Sequence, residues 1–238
     1  MDGTEGLFLH QPATARRPLL GLTVLVVEDS RFASEAIRLL CLRSGARIRR
    51  ADSLSHAERH LRIYRPCVMI VDVGLPDGSG LKLIKDMANA SPRIDVILGT
   101  SGDDTLAGDV MDSGADGFLA KPILSLTAFQ DAILAHLPQD RQPPGPRLLS
   151  DEQVKPDMIA FHDDLSHVAQ VLDGGQELAA IDYVTQFLGG VARSVSDPDL
   201  GAAVNALALR RSNGEPLKPQ IAQLAALVQA RLASADFM

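Results

Sequence analysis

Four apolar segments of this chain end in residues able to do chemistry, and the endings differ in kind: Glu28-Asp29, Asp72, Thr100 and Lys121. Like charges a few Å apart repel strongly. Three carboxylates gathered in one small pocket therefore require a cation, and hard oxygen ligands with a backbone carbonyl and waters suit Mg2+. Asp72 is the most informative of the set. The run Val68-Met69-Ile70-Val71 before it is short, apolar and β-branched, the pattern of a fully buried strand. After it, Val73-Gly74-Leu75-Pro76-Asp77-Gly78-Ser79-Gly80 supplies turn chemistry. A carboxylate at the carboxyl end of a parallel strand is where open α/β sheets place their ligands.

The elements that must position these groups alternate in type. Strands are predicted at residues 22–27, 46–50, 67–71, 94–99 and 117–120, and amphipathic helices at 31–43, 53–64, 79–90, 105–113 and 126–137. Five βα units imply a parallel sheet with helices on both faces, the doubly wound α/β arrangement. Residues 1–20 lack any period and read as a mobile leader, and residues 21–137 hold the α/β pattern. Residues 138–150 carry Pro138, Pro143, Pro144, Gly145 and Pro146, the composition of a semi-rigid linker.

Beyond the linker, residues 151–238 show helical spacing only. Met158, Phe161, Leu165, Val168 and Leu172 form one seam, and Ile181, Val184, Leu188, Val191 and Val195 another. Leu200, Val204 and Leu207 form a shorter seam, and Leu217, Ile221, Leu224 and Val228 the last. This predicts a small all-α domain of four helices, serving output or dimerisation.

Composition narrows the function classes. Hydrophobic content of 46% supports a core, and a formal charge of −7 argues against non-specific nucleic-acid binding. Cys41 and Cys67 are too few for a disulfide framework and fit reduced core residues of a cytoplasmic protein. Neither a signal peptide nor a membrane span is visible in the sequence.

Residues 22–137 resemble the receiver domain of two-component response regulators, with the separated motif positions filled in order. The resemblance implies a flavodoxin-like fold with strand order 2-1-3-4-5. It implies that Asp29 and Asp72 bind Mg2+ directly, that Gly74 offers its carbonyl, and that Glu28 acts through water. Asp72 would then take a phosphoryl group from a phosphohistidine on a sensor histidine kinase or histidine phosphotransferase. Lys121, followed by Pro122 as in the family's Lys-Pro signature, would neutralise the phosphoryl oxygens. Thr100 and Phe118 would form the switch. Gly74 and Gly102, two residues beyond Asp72 and Thr100, leave the site open where receivers often carry larger side chains.

The output is harder to read. Gly174-Gly175-Gln176-Glu177-Leu178 lacks the acidic ligand and surrounding domain of a cyclase site. Residues 151–238 hold six basic against twelve acidic side chains, the wrong sign for a phosphate backbone. A protein-interaction role, with a downstream partner or self-association, is the expected output; no separate enzymatic domain is recognised. The alternative is a phosphorelay component using His162 or His167, although His167 beside Val168 and Leu165 reads as a partly buried structural histidine. Residues 31–65 carry nine arginines against three carboxylates. Their opposition in sign to the helical domain predicts an electrostatic contact between the two, released by phosphorylation.

Overall fold

The computed structural model describes residues 13–146, 148–174 and 178–235. Three strands carry the centre of the sheet: β1 (Thr23–Val27), β3 (Val68–Asp72) and β6 (Val96–Ser101). Their aliphatic runs are buried on both faces, as a parallel sheet covered by helices demands. With β2 (Arg47–Ala51) and β7 (Gly117–Ala120) at the edges, the order is β2-β1-β3-β6-β7, all neighbours parallel. The two short strands omitted from that order, β4 (Gly74–Leu75) and β5 (Gly78–Ser79), pair antiparallel within the predicted turn. Setting them aside gives the expected flavodoxin-like order.

Alternation along the strands sends side chains into two cores. Val24, Val26, Ile70 and Leu98 pack with Ile37, Leu40, Phe129 and Ile133, from α1 (Arg31–Ser44) and α5 (Leu126–Leu134). Leu25, Val27, Met69, Val71 and Ile97 pack on the opposite face with Ala57, Ile84 and Val110. Those three come from α2 (Leu54–Ile63), α3 (Gly80–Ala88) and α4 (Ala107–Asp112). The first helix is closed at both ends. Ser30 accepts the Ala33 N–H, and Gly45 takes the left-handed conformation (φ 88°) that most side chains resist. Cys41 is buried and its thiol is pushed up to about 12 by desolvation, consistent with a packing role.

Two expected boundaries move. The described part of the predicted leader is not free: Leu19 is fully buried and its N–H bonds the Ser44 carbonyl, closing the core beneath α1. The predicted linker is also held, because Ser150 exchanges hydrogen bonds with Thr127. Val154, assigned from sequence to the helical domain, is buried in the α/β core and bonds the Leu124 carbonyl. An extended segment beside the start of α5 satisfies its backbone groups there, so the second domain begins with its first helix.

Among the described residues that domain is four helices, as predicted: α6 (Met158–Gly174), α7 (Leu178–Ser194), α8 (Pro198–Ser212) and α9 (Lys218–Ala235). Phe161, Leu165, Val168, Ile181, Val184, Leu188, Val191, Val204, Leu224 and Val228 form its core. Met158, predicted in the first seam, is exposed at the helix start. Gly175, Gln176 and Glu177 lie outside the described residues. Phe32 of α1 is buried in this second core, edge-on to Phe161, so one α/β side chain helps complete the bundle.

Leu19→Ala should cost about 2–5 kcal/mol, as for other fully buried leucines. Urea unfolding of the chain measures it, and a cost near zero would mean that residues 13–20 do not belong to the fold.

Candidate functional site

Parallel register brings the strand ends together. Asp72 lies beside Thr100, and Ser101 beside Ala120, which places Lys121 at the same edge. Glu28 and Asp29 follow β1 directly. Carboxylate oxygens of Glu28, Asp29 and Asp72 lie within 4.8 Å of one another. Lys121 Nζ donates to Asp72 Oδ2 at 2.8 Å. It also stands 2.6 Å from Glu28 Oε2, close as an ion pair but without hydrogen-bond alignment. The Ser30 N–H donates to Glu28 Oε1 at 3.2 Å. Thr100 is fully buried and donates to the Leu119 carbonyl at 2.7 Å. Phe118 is half-buried against the core that holds Leu25 and Val71. The Lys121–Pro122 peptide is cis.

The electrostatics follow from crowding. Burial raises the Glu28 pKa well above the usual carboxylate range, and the Asp72 and Asp29 charges push the same way against Lys121. Asp29 is raised to about 7, first by desolvation and then by Asp72, while the Tyr183 hydrogen bond opposes the rise. Burial works against the Lys121 charge, but Asp72 and Glu28 more than offset it, and its pKa is raised. Asp29 Oδ1 is buried with no hydrogen-bond partner. An orphaned oxygen among three carboxylates and one ammonium is a donor set that fits a hard divalent cation.

The second domain forms the roof of this site. The Tyr183 hydroxyl on α7 donates to Asp29 Oδ2 at 2.7 Å. Burial and the Asp29 charge raise the tyrosine pKa, so it remains a donor. Asp164 on α6 is buried and accepts from the Ser30 hydroxyl (2.7 Å) and from the N–H groups of Arg31 (2.7 Å) and Phe32 (3.1 Å). It thus caps α1 from another domain, at the end where the helix dipole favours an anion. Burial raises the Asp164 pKa, and those three bonds oppose the rise.

A cavity of about 20 Å3 remains over Asp72, walled by Lys121 and Gly74 below and by Gln186, Gly190 and Ser194 of α7 above. A wider cleft of about 600 Å3 opens on the Asp29 side, between Arg50, His56 and His167.

The arginine-rich stretch plays a smaller part than its charge predicts. Among the described residues, its ion pairs to later segments are Arg31 with Asp163 (2.6 Å), Arg43 with Glu152 and Arg65 with Asp95 (3.6 Å), and only the first reaches the helical domain. Arg38 and Arg62 pair instead within their own helices, with Glu35 and Glu58. Exposed pairs of this kind contribute little. His167 is exposed rather than partly buried, and its Nε2 lies 3.1 Å from the Tyr183 hydroxyl. His162 is half-buried beside the Phe161 ring. Neither histidine lines the cavity over Asp72.

The family model of the response regulator receiver domain matches residues 24–133. Residues 24–133 are a response regulator receiver domain. The chain is 30% identical over 99 residues to the KDP operon transcriptional regulatory protein KdpE of Escherichia coli, covering 42% of this chain and 44% of KdpE. It is 35% identical over 104 residues to the probable transcriptional regulatory protein TcrX of Mycobacterium tuberculosis, covering 42% of this chain and 44% of TcrX. The chain thus spans less than half the length of the curated relatives it matches. Among solved structures, the NtrC4 receiver domain is 28% identical with a TM-score of 0.44, covering 48% of this chain and 95% of that one. No described helix is long and apolar enough to cross a membrane.

Sequence reading found the receiver's own polar groups and missed Asp164, Tyr183, Gln186 and Arg193, which the second domain brings to them. Gly74 and Gly102 held the only signal. A side chain at Gly74 would meet the Gln186 amide at 2.2 Å, and one at Gly102 would meet Arg193 Nη2 at 2.2 Å.

The raised Asp29 pKa has a stability consequence. The folded chain keeps a proton up to about pH 7 that the unfolded chain releases near the usual 3.8, so this contribution is present below that value and lost as pH rises through 7. In a chelator, the urea midpoint of wild type should fall between about pH 5 and about pH 8 more steeply than that of Asp29→Asn. Equal slopes would contradict it.

Proposed function

We propose that this receiver accepts a phosphoryl group on Asp72 from a phosphohistidine donor with Mg2+, and signals through its helical domain by protein contact. The observation that carries the reading is the convergence of Asp72, Lys121 and the Glu28–Asp29 pair within one small pocket. An Asp72 oxygen attacks phosphorus as the phosphorus–nitrogen bond of the donor breaks, giving an acyl phosphate and a free imidazole. Lys121, already bonded to Asp72, is held where charge spreads over the equatorial oxygens. Mg2+, held by Asp29, Asp72 and the Gly74 carbonyl with Glu28 through water, would supply further charge neutralisation. Thr100 would leave the Leu119 carbonyl to bond the phosphoryl group, and Phe118 would follow that loop inward. A sensor histidine kinase or histidine phosphotransferase is the matching donor.

KdpE and TcrX are named as transcriptional regulators, but the likeness to them spans only 42% of this chain. The six basic against twelve acidic residues beyond position 150 support a protein partner over a nucleic acid.

Phosphoramidate with Mg2+ should label the chain in a hydroxylamine-sensitive way, and Asp72→Asn or removal of Mg2+ should abolish it. Lys121→Ala should slow labelling by about 10²–10³-fold, the cost of losing one electrostatic contact to a transition state. A label that persists in Asp72→Asn would refute the assignment.

A further inference from the structure

We propose that the helical bundle is an internal, non-transferring counterpart of the phosphodonor, with Gln186 of α7 standing over Asp72 where a donor histidine must stand. The inference rests on the phosphoacceptor reading above and names what covers that site. Access is the first argument. A donor must reach Asp72 opposite the receiver's core, and that side is closed by Gln186, Gly190 and Ser194. A buried water needs about 10–15 Å3, so the cavity of about 20 Å3 has room for one or two waters but not for a phosphoryl group.

The side chain itself is the second argument. A glutamine amide and a histidine Nε2 reach about equally far from the backbone. The amide nitrogen, however, is a donor with no basic lone pair to carry phosphorus. Gln186 can fill the donor's place and cannot perform its chemistry.

Complementarity is the third. The receiver lacks side chains at Gly74 and Gly102, and α7 fills both gaps, with Gln186 against one and Arg193 against the other. Neither glycine has a positive φ, so the receiver backbone does not itself require glycine there. Asp164 on the N-terminus of α1 and Tyr183 on Asp29 hold the bundle in register. The wider cleft leaves the Asp29 side open, so a metal ion can enter while the face over Asp72 stays covered. Donor and bundle therefore compete for one surface, and a phosphoryl group on Asp72 takes the space of Gln186.

The test follows labelling of the full chain by phosphoramidate with Mg2+, which needs no identified kinase. Gln186→Ala removes the amide over Asp72. Asp164→Ala keeps that amide but removes the bundle's hold on the N-terminus of α1, and Asp164 does not line the cavity over Asp72. If the uncovered form is under about a tenth of the population, each should label at least about tenfold faster than wild type. The distant exposed substitution Gln223→Ala should label at the wild-type rate. Asp164→Ala should also enlarge the radius of gyration. A wild-type labelling rate in either Gln186→Ala or Asp164→Ala, with Asp72 carrying the label, would overturn the inference and leave the phosphoacceptor reading standing. No label in any of these proteins would overturn that reading, and the inference with it.

Discussion

Three carboxylates converge at one sheet edge with a single ammonium to balance them, and most of the structure around the site answers that excess of charge. Lys121 lies against Asp72 and Glu28, and the N-terminus of α1 begins just beyond the acidic pair. Tyr183 donates to Asp29, and Asp29 itself holds a proton up to about pH 7. These arrangements still leave Asp29 Oδ1 without a partner. Desolvating like charges is costly unless each is paired and hydrogen-bonded. The sheet tolerates the cost because β1, β3 and β6 are buried on both faces and fix the strand ends in place.

The same unmet groups account for the docking of the second domain. The first N–H groups of α1 have no partner within their helix, and Asp164 supplies one. Phe32 leaves the receiver surface to pack edge-on against Phe161. The two domains are joined through the site's own polar groups and one aromatic side chain, and only marginally through the arginine-rich face. A buried carboxylate with three donors outweighs an exposed ion pair such as Arg31–Asp163. Asp72 and Gln186 of α7 line one cavity, so the bundle meets the site without a relay through the sheet.

The receiver was legible because its signals are local. Val68 to Val71 reads as a covered strand, and Asp72, Thr100 and Lys121 each close such a run. The four helical seams were legible for the same reason, since periodicity is read within one element. What stayed hidden depends on contacts between distant segments. Val154 reads as the start of the helical domain until its hydrogen bond to Leu124 is seen, and Leu19 reads as leader until the Ser44 carbonyl claims its N–H. Gln186 sits in an ordinary amphipathic helix, and only the matching absence of a side chain at Gly74 ties it to the site. Net charge was the misleading signal. It gave opposite signs to residues 31–65 and to the helical domain but could not tell which few side chains would meet.

Amide hydrogen exchange at Arg31 and Phe32, read by NMR before and after phosphorylation of Asp72, tests the central claim most directly. Both amides bond Asp164 across the domain boundary, so they report docking. The account predicts that both are protected in the unphosphorylated chain and lose that protection when Asp72 is phosphorylated. Protection unchanged in protein fully labelled at Asp72, or absent before labelling, would contradict it.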